Sequence, residues 1–277
     1  MKNLRNQRGQ ALLIVVLVMA VALTIGLAVV SRSITDIKIS RQEEESSRVF
    51  SVAEAGIEEA LKLGSGTSGA ISEISYTVSE TAQGGGREFV FPATINAGDT
   101  QTVWLVEHDN DGNLTETGRY TGNTIDLYWG NENQDPNQST TPALEVSVIY
   151  KEGTSYKLTR GAFDPNSSRR NDNSFDEADV GSYSIGGKTF RFRKLGFTLP
   201  GGIPYALRLR LLYNNDQAQI LGIAGTSNFP SQGKCYESTA SLSTSGITRK
   251  VQQCQFHKTP PGIFDYVLFS EGDLVHQ

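Results

Sequence analysis

The chain has almost no cysteine: Cys235 and Cys254 are the only two in its 277 residues. Their spacing fits neither a zinc site nor a CxxC redox pair. It also lacks an excess of basic charge. Lys and Arg total 25 against 30 Asp and Glu, a formal net charge of −5. That argues against nucleic acid as a partner, since a phosphate backbone needs a basic face, and none is expected. The histidines His108, His257 and His276 are scattered. No GxSxG is present, and no glycine-rich phosphate loop follows a strand and opens a helix; Gly84-Gly85-Gly86 reads as an ordinary loop. Without such a constellation the chain is not expected to be an enzyme, and no catalytic residue is assigned. Beyond residue 31 no second apolar run approaches spanning length, so the remainder is expected to be a soluble portion.

One long apolar run is there. From Ala11 to Val30 no residue is charged and Thr24 carries the only polar side chain. Twenty such residues at about 1.5 Å rise make about 30 Å of helix, the thickness of a bilayer's hydrocarbon core. Lys2, Arg5 and Arg8 precede the run and no acid does, which predicts a cytoplasmic N-terminus with the rest sent outward. Residues 31–63 have no proline and favour helix. Val49, Phe50, Val52, Ala53, Ile57, Ala60 and Leu61 recur at helical spacing, and Gly64-Ser65-Gly66 is a stop signal. One uninterrupted helix from about Gln10 to Leu63 is predicted. Between Lys38 and Arg48 Ile39 is the only apolar residue, which reads as a solvated bridge. Ala53, Gly56 and Ala60 form a line of small residues that lets a sheet come close. Ser33, Asp36, Lys38 and Arg41 are better placed to meet neighbouring subunits.

Past residue 64, alternating Val, Ile, Tyr and Phe punctuated by Gly, Ser, Thr and Asn predict strands joined by turns. Strands are expected near 74–80, 88–95, 101–108, 113–120, 124–130, 143–151 and 154–160. Further strands are expected near 183–186, 188–194, 205–213, 217–224, 234–243 and 246–257, with 205–257 read as a meander of two hairpins. The polar stretch 164–179 reads as a linker or long surface loop, and 263–269 as a last strand or a short helix. Folding 235–254 about Thr244 and Ser245 sets Cys235 opposite Cys254, which predicts a disulfide and an oxidising compartment. Two buried free thiols are the alternative.

Residues 107–118 follow part of a calcium-loop pattern through Glu107, Asp109, Asp111 and Asn113, with calcium as the only cofactor considered. The closing glutamate is absent, since residue 118 is glycine, and the flanks read as strands, so the favoured reading is a hairpin turn at Asn110-Asp111-Gly112-Asn113 with the calcium loop as the alternative. Trp104 and Trp129 are expected in the core, or else as an exposed stacking platform for adhesion.

A basic leader, a glycine, about twenty apolar residues and an amphipathic helix leading to a β-rich head resemble a type IV prepilin. QRG-QALLIVVLVMAVALT with the later SVAEAGIEEAL is most similar to PilX-type minor pilins, over roughly residues 1–63. The resemblance implies cleavage by prepilin peptidase after Gly9 and a mature chain beginning at Gln10. It implies methylation of the Gln10 amine and transfer of the helix from the bilayer into a filament of like helices. Two positions depart from the major-pilin pattern: Gln10 replaces phenylalanine, and Ile14 stands where the family's glutamate pairs with a neighbour's terminal amine. Members lacking that acid are associated with the filament tip.

The expected fold is α+β, a long N-terminal helix followed by an antiparallel β-rich head. The expected division is a leader 1–9, a transmembrane half 10–31 and an amphipathic stem 32–63. A β-rich subdomain 64–163, a linker or loop 164–182 and a C-terminal meander 183–277 follow. The expected function is structural, as a minor pilin or pseudopilin near the filament tip. Its expected partners are other pilin subunits, prepilin peptidase, the inner-membrane assembly platform and the lipid bilayer. Its expected location is the cytoplasmic membrane and then the cell surface or pilus. The alternative is a single-pass anchored adhesin or binding module that never polymerises.

Overall fold

The computed structural model describes residues 8–109 and 111–262. Residues 1–7 of the basic leader, the element expected over 263–269 and His276 lie outside the described residues. In chain order the elements begin with α1 (Arg8–Leu63), β1 (Thr67–Ile71), β2 (Ile74–Gly84), β3 (Glu88–Val90), β4 (Thr100–Trp104) and β5 (Glu107–His108). Then come β6 (Leu114–Thr115), β7 (Thr124–Asn131), β8 (Ala143–Glu152), β9 (Ser155–Asp164), α2 (Ser167–Asn173) and β10 (Asp176–Glu177). The chain continues through β11 (Asp179–Ile185), β12 (Lys188–Thr198), β13 (Ile203–Leu212), β14 (Leu221–Gly225), β15 (Ser231–Leu242) and β16 (Ile247–Phe256). The fold is therefore a long N-terminal helix followed by antiparallel β-rich sheets.

Helix α1 runs 56 residues without a break, about 80 Å at the standard rise. It stops at Gly64, which takes the left-handed conformation (φ 71°) and donates its N–H to the Ala60 carbonyl at 2.8 Å. A Cβ would strain that backbone, which is why glycine sits there.

The described chain divides into two compact units. One comprises 8–80 with 236–253, the other 81–235 with 254–262. In the first, the four-stranded sheet has the order β1-β2-β15-β16. Strand β2 buries Ile74, Tyr76 and Val78 and exposes the residues between them, the period of two that a half-buried strand requires. Against them pack Val49, Val52, Ala53, Ile57 and Ala60 of α1, with Tyr236, Ala240 and Leu242 of β15. Phe50, expected in this stripe, is instead 42% exposed: one step from Val49 turns the side chain about 100° away from the seam. Strand β1, absent from the sequence reading, pairs antiparallel with β2 from Thr67↔Val78 to Ile71↔Ile74.

In the second unit, two five-stranded sheets share one core. Their orders are β10-β9-β8-β13-β4 and β11-β12-β7-β14-β3, and only the short β9–β10 pair is parallel. Leu144, Val146 and Val148 of β8 and Leu207, Leu209 and Leu211 of β13 face this core from the first sheet. Ile125, Leu127 and Trp129 of β7 with Phe192, Leu221 and Ile223 face it from the second.

The chain does not divide at 164–182. Strand β13 pairs with both β8 and β4, and β7 pairs with β12 and β14, so residues on both sides of that stretch build the same sheets. The stretch itself is ordered around a buried charge. Asn166 caps α2 by accepting from the Arg169 N–H at 3.1 Å. The Arg169 guanidinium donates to both oxygens of the fully buried Asp164 at 2.7 and 2.8 Å. The expected meander is also replaced: β13, β14 and β15 belong to three different sheets, and only β15 and β16 remain neighbours.

Candidate functional site

Two features of the described chain have a surface that folding alone does not explain. The first is the N-terminal part of α1. Every side chain from Leu12 to Glu44 is exposed, including Leu13, Val16, Leu17, Leu23 and Leu27 at 59–69%. Each such side chain forgoes about 1.5–3 kcal/mol that burial would supply, so the segment calls for an apolar phase outside this chain. Thr24 donates its hydroxyl to the Val21 carbonyl at 2.8 Å. The one polar side chain of the run is thereby satisfied within the helix, as a hydrocarbon surrounding demands. This helix is long and apolar enough to span a membrane, which is consistent with membrane anchoring. Gly9 and Gln10 lie on its first turns; the Gln10 side chain lies outside what the structure describes.

The bridging stretch that follows is solvated until Glu45 and Ser46, which are half-buried. There Arg249 of β16 donates through Nε and Nη2 to Ser46 Oγ at 2.9 and 2.6 Å. One turn further the stripe begins, and at Gly56 the sheet comes so close that no side chain fits. An added Cβ would lie 2.8 Å from both Tyr76 Cδ2 and Ser238 Oγ. Beside it the Tyr76 hydroxyl donates to the Glu59 carboxylate. That hydrogen bond, with burial and the carboxylate's charge behind it, raises the Tyr76 pKa above its ordinary value.

The second feature is a cleft of about 400 Å³ in the other unit, whose lining includes His108, Asp111, Gly112, Lys234, His257 and Lys258. His108 and His257 stack there with ring centroids 3.9 Å apart and planes 4° from parallel. Trp104 meets His108 edge-on at 5.0 Å. Burial lowers both imidazole pKa values; at His108 the neighbouring His257 adds to this and Asp109 opposes it. Among the described residues, nothing hydrogen-bonds the buried His108 Nδ1 or Trp104 Nε1. No sequence signal joins His108 to His257. They meet because β5 ends the segment that follows β4, while residue 257 follows β16 and donates its N–H to the Gln232 carbonyl at 3.0 Å.

The proposed calcium ligands form a turn instead. Glu107 pairs with Thr115 and His108 with Leu114. The Asp109 carboxylate accepts from the N–H groups of Asp111 and Asn113 at 3.0 and 2.8 Å, and from the Asn113 amide at 3.1 Å. Those bonds, led by the Asn113 backbone, hold its pKa below the usual carboxylate range. Among the described residues no three His, Cys, Asp or Glu are grouped to hold a metal. The local reason is that Asp109 is used up in closing its own loop. Trp129 is fully buried and donates to the Pro142 carbonyl at 2.9 Å, whereas Trp104 is half-buried at the cleft. Cys235 and Cys254 are joined in a disulfide.

No protein-family model matches this chain, and no curated protein or solved structure matches it either.

Proposed function

We propose that this chain is a structural, non-enzymatic subunit of a type IV pilus-like filament, a minor pilin or pseudopilin seated at or near the tip. The observation that supports this reading best is the continuity of α1. One unbroken helix exposes an apolar half and buries the stripe of its other half on a β-sheet. Such a rod is suited first to lipid and then to a bundle of like helices, where the same apolar surface is reburied. The Gly9–Gln10 junction ahead of the run fits leader removal by prepilin peptidase and methylation of the new amine. The inner-membrane assembly platform and the other pilin subunits are the partners of this reading. Ile14, where the family's acid stands, deprives the helix of a charge with which to pair a neighbouring amine, and this supports the tip position.

Mass spectrometry of the N-terminus of the exported protein tests the proposal. A mature chain starting at Gln10 is expected. An intact Met1 would overturn it in favour of an anchored adhesin or binding module that is not polymerised. Recovery of this chain as the dominant component of sheared filaments would overturn the tip position alone.

A further inference from the structure

We propose that the Cys235–Cys254 disulfide is a redox latch for the stem of α1. Closed, it holds the helix stripe on its sheet; opened, it releases the stripe and the β15–β16 hairpin and leaves the other unit folded. The core under the stripe is assembled from two distant parts of the chain. Helix α1 and strand β2 supply one part. Tyr236, Ala240 and Leu242 supply the other, with Ile247 and Val251 packed alongside, and the chain reaches them only after the whole of 81–235. At Gly56 the helix meets both parts at once, since an added Cβ would stand 2.8 Å from Tyr76 Cδ2 of β2 and 2.8 Å from Ser238 Oγ of β15. The seat of the stripe is thus made jointly by β2 and β15, neighbours in the sheet. Without the hairpin the stripe meets only β1 and β2, and two strands alone are marginal in water.

The bond sits where it controls that hairpin. Residues 236–253 belong to the first unit, and the residues flanking them, Cys235 and Cys254, to the second. The disulfide therefore closes the neck of the inserted stretch. Its far end is closed by the turn at Gly246, which takes φ 72° and donates its N–H to the Leu242 carbonyl at 2.9 Å. The ion pair across the hairpin, Lys250–Glu237, is exposed on both sides, and such pairs contribute little. The main core of the second unit takes no side chain from 236–253, so it does not depend on the latch. Cys235 is buried, whereas Cys254 is half-buried, which leaves its side of the bond open to an exchanging thiol. Closing the latch takes one proton and one electron from each cysteine. Both protons and both electrons pass to a disulfide oxidant such as oxidised glutathione, which leaves as two thiols. The chain so gains a docked stem only in an oxidising compartment, whether or not it later polymerises.

The test is hydrogen exchange, read by mass spectrometry, on the full chain in neutral detergent micelles. Three samples are compared: the oxidised chain, the chain reduced with a phosphine, and Cys235→Ser with Cys254→Ser. In the latter two, exchange should quicken about a hundredfold in 49–60, β2 and 236–253, the effect of opening a loop of this length on local stability. Strands β7, β8 and β13 should keep the rates of the oxidised chain. Oxidised glutathione, added once the phosphine is removed, should restore protection in the wild-type chain and not in the double variant. The reduced wild-type chain keeps both native side chains, so a folding defect peculiar to the serine variant cannot pass for release of the latch. Unchanged exchange in 49–60 of the reduced chain would overturn the proposal. So would equal quickening in both units, which would make the bond an ordinary brace of the whole molecule.

Discussion

Gly56 of α1 lies against the ring of Tyr76 in β2, with room for a hydrogen and none for a methyl group: a Cβ there would stand 2.8 Å from Tyr76 Cδ2. That contact fixes how close helix and strand can lie. Glycine inside a helix normally costs about 1 kcal/mol relative to alanine, so its presence at this buried position marks what the packing demands. Gly56→Leu should lose more than any gain in helix propensity returns, by about 1–3 kcal/mol from overpacking. The unfolding midpoint of the four-stranded unit, read by hydrogen exchange at β2 and β15, would show it. Ala53→Trp, three positions earlier on the same seam, should damage the same unit. Wild-type protection in both variants would contradict the close approach.

The Cys235–Cys254 disulfide closes a loop with a sequence separation of 19. Restricting a loop of that length in the unfolded chain contributes about 3 kcal/mol. Cys235→Ser with Cys254→Ser should lower the denaturant midpoint by a corresponding amount, and a reductant should do the same to the wild-type chain. No response to either treatment would show that the bond contributes nothing to stability.

Asp164 is fully buried at the end of β9, and Arg169 is its ion-pair partner. Burial pushes the Asp164 pKa up, but hydrogen bonds from Arg169, the Asn166 N–H and Asn173 outweigh it and hold the group below the usual carboxylate range. Arg169→Met removes the main partner and strands a buried carboxylate, which should cost about 3–5 kcal/mol. Asp164→Asn keeps a polar group without the stranded charge and should cost less. A denaturant series on both variants checks the order, and equal losses would refute the ion-pair account of this segment.

The helix was legible in the sequence because its cues are local. The 3.6-residue period of Val49, Val52, Ala53, Ile57 and Ala60 and the stop at Gly64 need no tertiary information. The cysteine pairing was legible for the same reason, since it follows from alternation about one turn. What was missed depends on distant partners. Strand β1 reads Thr-Ser-Gly-Ala-Ile, with little strand preference, and is held in place by β2. The segment 167–173 is polar throughout and becomes helical around a carboxylate that β9 buries. The stack of His108 on His257 joins residues whose separation no spacing rule covers. The turn at Asp109, Asp111 and Asn113 was legible too, because the composition that resembles a calcium loop is also the one that closes a hairpin turn.

The stacked histidines also predict a pH dependence. In the unfolded chain both take up protons near pH 6.5. In the folded chain burial defers this to lower pH, so between those values the unfolded state binds more protons. Their contribution to stability is therefore full above about 6.5 and is lost as pH falls through the folded pKa values. The thermal midpoint should drop between about pH 7.5 and 5.5, above the range in which most carboxylates titrate. His108→Gln with His257→Gln should flatten that interval. An unchanged slope in the double variant would assign the dependence to other groups.

Lys38 separates the two tasks assigned to α1. It lies on the exposed, solvated part of the helix, before the stripe that begins at Val49. A charge reversal there touches no core, so Lys38→Glu should change stability by no more than about 0.5 kcal/mol, the usual limit for an exposed position. In the filament proposed above the same position would meet a neighbouring subunit, where reversing a charge at a contact is expected to cost more than it does in water. The variant should therefore fold and insert normally and yet be depleted from sheared filaments, measured as the ratio of filament-bound to membrane-bound protein. Loss of the head's fold would place Lys38 within the packed unit, and undiminished incorporation would remove this stretch from the assembly face.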